Sequence, residues 1–142
     1  MAALNVLFAA LALAAGELRA DVLVVVRDDS PVTTLTQRQL IDLYMGRSRT
    51  VPPDYPVRPL DLKSGSALRQ LFYTALTGRG EAQVDAYWAQ LVFAGRVAPL
   101  AQLEDTDAVL ADVHSDPHAL GYIEQDEAPP GLRAVYRLGA EP

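Results

Sequence analysis

Val57-Arg58-Pro59-Leu60-Asp61-Leu62-Lys63-Ser64-Gly65-Ser66-Ala67-Leu68-Arg69-Gln70-Leu71-Phe72 changes its rhythm half-way along. Val57 to Leu62 reads as a short strand. Pro56 flanks it and Pro59 lies within it, which argues for a sheet edge or a bulge. Ser64-Gly65-Ser66 is a turn. Leu68, Leu71, Phe72, Ala75 and Leu76 then recur at spacings of three and four, which predicts an amphipathic helix ending at Gly78. A strand running through a tight turn into a helix is a building unit of α/β folds.

The flanking sequence extends that reading. Upstream, Val22-Leu23-Val24-Val25-Val26 is an unbroken apolar run, the pattern of a strand covered on both faces as in a parallel sheet. Leu35, Leu40, Ile41 and Tyr44 follow near helical spacing, with Thr36 as N-cap and Gly46 at the end. Arg47 to Tyr55 reads as a basic, proline-containing loop. Downstream, Glu81 to Phe93 is predicted helical, with Val84, Tyr87, Trp88, Leu91 and Val92 on its buried side. Thr106 to His114 is a further helix, and Leu120–Ile123 and Leu132–Leu138 are strands. The order β-α-β-α-α-α-β-β predicts an α/β fold, a mixed sheet flanked by helices, without internal repeats.

The first twenty residues set the compartment. Leu4 to Ala15 is apolar apart from Asn5, too short to span a bilayer and suited to a signal peptide cut near Ala20. A buried N-terminal helix is the alternative. With residues 1–20 removed, the 142-residue chain becomes a single 122-residue domain, 21–142, expected in the periplasm and without a membrane span. There is no cysteine, hence no disulfide and no thiol chemistry. A formal charge of −6 gives no general attraction for nucleic acid. Glu104–Asp107 and Glu124–Glu127 read as solvated loops or helix starts rather than metal sites.

Chemistry concentrates at the Ser-Gly-Ser turn. The first amides of a helix lack partners within it, and its dipole adds partial positive charge there. Ser64, Gly65 and Ser66 therefore offer amides and hydroxyls to an anion, and Arg69 adds a forked donor one turn in. The plain alternative is that Ser64 only caps the helix and Arg69 is solvated. His114 and His118 are four apart, but Pro117 breaks any helix between them, so they read as surface residues and no metal is assigned. Gly78-Arg79-Gly80 lacks the lysine and length of a nucleotide-binding loop. Tyr87, Trp88 and Phe93 read as core, and Arg47 and Arg49 as a solvated loop. No nucleophile, histidine and carboxylate set forms a motif, so the chain reads as no enzyme, with no cofactor.

Several ordered pieces resemble one family. They are Val24-Val25-Val26 with Ser30-Pro31-Val32; Leu35 to Gly46; Ser66-Ala67-Leu68-Arg69-Gln70-Leu71-Phe72-Tyr73; Tyr87-Trp88 with Phe93-Ala94-Gly95; and Pro117-His118-Ala119-Leu120-Gly121-Tyr122. Together they resemble the short phosphate ABC-transporter substrate-binding-like proteins, relatives of the periplasmic phosphate-binding protein. The resemblance implies one lobe of a type 2 periplasmic-binding fold, with phosphate or a similar oxyanion as ligand and a transporter or sensor protein as partner. Ser64, Gly65 and Ser66 match the family's phosphate-holding turn. The family places an arginine shortly before that turn, where this chain has Leu60 and Asp61. An aspartate there repels an anion unless it takes a proton from it or points away. His118 stands where the family commonly has glycine. A chain this short supplies one lobe, so a homodimer that rebuilds a two-lobed cleft stays open. Two classes of function follow: an oxyanion-binding module, or a non-catalytic interaction or sensory module of the same fold that has lost its ligand.

Overall fold

The computed structural model describes residues 21–139, and the expected signal segment lies outside them. Strand β1 (Val22–Arg27) buries Val22 to Val26 completely. Helix α1 (Gln37–Tyr44) starts at a capping box: the Gln39 amide donates to the Thr36 hydroxyl, and the Thr36 amide donates to the Gln39 side chain. The proline-containing segment after it is not only a loop. It holds a two-stranded ribbon, β2 (Thr50–Val51) with β3 (Tyr55–Pro56), whose strands are too short to show a period in sequence.

Strand β4 (Arg58–Leu62) leads to α2 (Ala67–Thr77), which ends on Gly78 in the left-handed conformation at φ 74°. Next come α3 (Glu81–Phe93), β5 (Ala101–Leu103), α4 (Thr106–Ser115), β6 (Ala119–Glu124) and β7 (Leu132–Leu138). The five longer strands form one mixed sheet in the order β5-β4-β6-β1-β7. β4 is parallel to β5 and β6, whereas β1 is antiparallel to both its neighbours. The apolar run of β1 thus reports burial on both faces and not parallel pairing.

β4 is also an interior strand, against the expectation from Pro59. The Lys63 amide bonds β5 and the Arg58 amide bonds the chain just before β6, so amides of odd-numbered residues point toward β5. Pro59 would aim at β5 one step before that strand begins pairing, at Leu60 with Ala101. Its missing N–H therefore removes no ladder bond.

Helices cover both faces of the sheet. Gly121 of β6 faces α4: a Cβ there would lie 2.5 Å from Val109. The next residue, Tyr122, points to the opposite face. There it stacks on Phe72 of α2 at 3.8 Å, with Tyr44 of α1 edge-on. Helix α3 is bound less deeply than its sequence suggests. Val84 is buried, Tyr87, Trp88 and Leu91 are half-buried, and Val92 and Phe93 are exposed. Tyr87 and Trp88 instead donate to the carbonyls of Met45 and Tyr44 at the end of α1, which have no helical partner. The Trp88 ring lies against Gly46, where a Cβ would come within 2.8 Å of it.

Candidate functional site

The turn between β4 and α2 is the place to which sequence chemistry pointed. Ser66 caps α2 by accepting the Arg69 amide at 3.3 Å. Gly65 adopts φ +93°, a conformation that favours glycine. These two choices set the turn with its amides and hydroxyls gathered at the helix start.

Arg69 does not project into solvent. With Phe72, Tyr73 and Leu76 it lies on the buried face of α2. Its Nε lies 3.2 and 3.3 Å from the two oxygens of Asp61. Nη1 donates to Glu81 at 2.8 Å and to the Ser64 hydroxyl at 3.3 Å, and Nη2 donates to Asp85 at 2.8 Å. The guanidinium also sits 5.1 Å from the Tyr73 ring centre, close enough for a cation–π contact. Burial opposes its charge, but Asp61, Asp85 and Glu81 outweigh burial, so its pKa is raised.

Asp61 points into the fold, away from the turn's exposed side. Besides Arg69 it accepts from the hydroxyls of Tyr73 at 2.9 Å and Tyr122 at 2.6 Å, and from the Leu62 amide at 2.8 Å. Burial, reinforced by the Asp61 charge, pushes both phenols well above the usual tyrosine range. They remain hydroxyl donors at any ordinary pH. Among the described residues no buried side-chain nitrogen or oxygen lacks a partner.

The Ser66 amide closes the turn on the Lys63 carbonyl at 3.2 Å, and two further donors meet carboxylates of α3. The Gly65 amide donates to Glu81 at 2.7 Å, and the Ser64 hydroxyl donates to Asp85 at 3.1 Å. Glu81 Oε1 thus receives both an amide and a guanidinium N–H. Asp85 takes a guanidinium N–H on one oxygen and a hydroxyl on the other. An amide, a serine hydroxyl and a forked arginine are the donors a tetrahedral oxyanion seeks. Here two protein carboxylates hold them. Lys63, at the edge of the turn, is ion-paired with Glu104.

The fold matches part of a phosphate transport receptor. A protein from Clostridium perfringens described as a phosphate ABC transporter substrate-binding protein, solved with bound phosphate, superposes with a TM-score of 0.65 at 18% identity. The match covers 82% of this chain and 44% of that one. An ABC-type phosphate transport receptor from Vibrio cholerae gives a TM-score of 0.62 at 19% identity, over 82% and 45% of the two chains. The chain therefore spans less than half the length of these structures. Neither a protein-family profile nor a curated protein matches it. The resemblance read from sequence is the one the structural comparison returns, and at these identities it establishes the fold.

The structure thus gathers Ser64, Gly65, Ser66 and Arg69 at one place, turns Asp61 away from the turn onto Arg69, and adds Glu81, Asp85, Tyr73 and Tyr122, which sequence reasoning left out. A signal for Arg69 was present: positions 69, 72, 73 and 76 make one helical stripe, and the last three are apolar or aromatic. Glu81 and Asp85, at i and i+4, share a face of α3. Nothing local links that face to the turn.

The other candidates have plainer roles. His118 stacks on Tyr55 at 4.6 Å, and its Nδ1 lies 2.8 Å from the Pro56 carbonyl. No group of metal-ligating side chains occurs among the described residues. Arg49 donates to the Ala98 carbonyl. Phe93 is not core but 96% exposed. No helix of the described residues is long and apolar enough to cross a membrane.

Proposed function

We propose that this chain is a non-catalytic module of the solute-binding fold whose anion turn is filled by its own carboxylates, and that it works through a partner protein instead of capturing free phosphate. One observation carries the reading: Glu81 and Asp85 occupy the Gly65 amide, the Ser64 hydroxyl and both terminal nitrogens of Arg69. Asp61, Glu81 and Asp85 already surround one guanidinium. An incoming phosphate would meet excess negative charge and would have to displace bonds of the same kind it would form. Export to the periplasm, proposed from the apolar run before Ala20, places the partner there, a transporter or sensor component being the natural candidate.

A second reading keeps the ligand: phosphate or a similar oxyanion bound at Ser64, Gly65, Ser66 and Arg69. The intact donor set favours it, as does the likeness to a structure with bound phosphate. Calorimetric titration of the full chain with phosphate and with sulfate separates the two. Our reading expects no binding up to about 1 mM ligand, the weak end of specific affinity. It also expects Glu81→Ala/Asp85→Ala to gain binding, because the donors are then free. Saturable binding by the unaltered chain, abolished by Ser66→Asp, would establish the second reading in its place.

A further inference from the structure

The outer face of α3 combines two exposed features that the fold does not use. The first is electrostatic. In a chain of net charge −6, seven of the eleven lysines and arginines among the described residues are held within hydrogen-bond distance of a carboxylate or a carbonyl. Arg27, Arg58, Lys63, Arg69 and Arg137 are ion-paired within hydrogen-bond distance, and Arg49 and Arg133 donate to carbonyls. The Arg96 guanidinium has no such partner, and neither does that of Arg79. Arg79 borders two adjoining hollows. One, of about 510 Å³, is lined by Arg79, Gln83, Ala86, Tyr87 and Gln90. The other, of about 130 Å³, is lined by Ile41, Met45, Arg47, Thr77 and Arg79. Arg47 reaches Asp42 only at 3.6 Å, so its charge is loosely held beside Arg79.

The second feature is an uncharged stripe that ends in a large apolar ring. Gln83, Ala86, Gln90 and Phe93 follow one another at spacings of three, four and three, and so form one stripe along α3. All four are exposed, and Phe93 is 96% so. No charged residue interrupts the stripe. It runs about 15 Å from Gln83 to Phe93 at the helical rise. A basic pocket thus stands at one end and an unburied aromatic ring at the other.

We infer that this stripe docks an acidic segment of a partner protein, whose carboxylate enters the Arg79–Arg47 hollow while an apolar side chain covers Phe93. Charge complementarity selects the occupant. A second copy of this acidic chain would bring net like charge, whereas an acidic residue set against two loosely held arginines is attracted locally and fixes the register. Exposed aromatic and arginine side chains are the usual anchors of such contacts. The inference rests on the reading of the chain as a partner module and supplies that partner's surface chemistry.

The test is site-specific photo-crosslinking of the full chain in its native cells, with a photoreactive phenylalanine at Gln83, Gln90 or Phe93 and, as control, at Asp107 on α4. The expected result is one common adduct from the three α3 positions and not from Asp107, whose crosslinked peptide contains Asp or Glu. Arg79→Glu should lower the adduct at least about tenfold, as reversing one charge of a matched pair does, while Arg38→Glu on α1 leaves it unchanged. A synthetic peptide of the crosslinked segment should then bind the purified chain, and Arg79→Glu should weaken it in the same proportion. No common adduct, an adduct with a second copy of this chain, or indifference to Arg79→Glu overturns the inference. Such a failure leaves the calorimetric result on phosphate untouched, and phosphate binding by the unaltered chain leaves the crosslinks untouched, so the two proposals fail separately.

Discussion

Strand β4 carries an arginine–carboxylate cluster at each end. At its start Arg58 is ion-paired with Asp112 of α4 and with Asp116 just beyond it, the latter at 3.0 Å. Near its end Asp61 is ion-paired with Arg69 at 3.2 Å. The chemistry is the same, but the surroundings are opposite. The Arg58 side chain is 43% exposed, so water and salt screen its pairs. The Asp61–Arg69 pair is almost fully buried, and every donor in it is matched. The first cluster ties α4 to the sheet at the surface. The second orients two tyrosines, joins α2 to α3 and holds the donors of the Ser64–Ser66 turn. Burial, not composition, makes the second one a structural centre.

The largest expected effect comes from breaking the buried cluster. Asp61→Ala leaves the Tyr73 and Tyr122 hydroxyls and the Arg69 Nε without their acceptor. It should cost about 3–5 kcal/mol in urea unfolding, as removal of one partner of a buried pair does. A loss below about 1 kcal/mol would show that Glu81 and Asp85 suffice for Arg69, and that the contrast between the clusters is false.

A smaller effect should appear at alkaline pH. The folded-state pKa values of Tyr44, Tyr73 and Tyr122 are raised, each by burial first and the Asp61 charge second. The unfolded chain therefore releases phenolic protons above about pH 10 that the folded chain keeps. The stability they contribute is complete below that pH and falls above it, by about 1.4 kcal/mol per pH unit for each tyrosine. Urea midpoints at several alkaline pH values measure the slope, and Tyr122→Phe should lessen it. An unchanged slope in that variant would mean that the phenol is not held protonated by the fold.

The smallest effect belongs to the surface cluster. Arg58→Ala should cost no more than about 1 kcal/mol, and less at high salt. A loss matching that of Asp61→Ala would erase the distinction between the two ends of β4.

Most of the fold was legible because its elements carry their own periods. The Val22–Val26 run, the Leu68–Leu76 stripe and the Gly78 stop each follow from a few adjacent residues. Strands β2, β3 and β5 were not legible, because two or three residues hold no period and depend on a neighbouring strand. The site was half legible. The Ser-Gly-Ser turn is local, and sequence found it. Its occupants are not: Glu81 and Asp85 reach Arg69 from 12 and 16 residues further on, across the α2–α3 turn. Trp88 shows the same limit, since its indole docks on Gly46 and the end of α1 and not deep in a core.

The hydrogen bond from the Gly65 amide to Glu81, at 2.7 Å, takes the place that phosphate would need. It is read most directly from the Gly65 amide resonance in nitrogen–proton NMR spectra of the full chain during a phosphate titration. We predict that the resonance stays in place up to about 10 mM phosphate, beyond the range of specific affinity, and moves when Glu81 is replaced by alanine. A saturating shift of the Gly65 resonance with phosphate in the unaltered chain, absent in Ser66→Asp, would contradict the account.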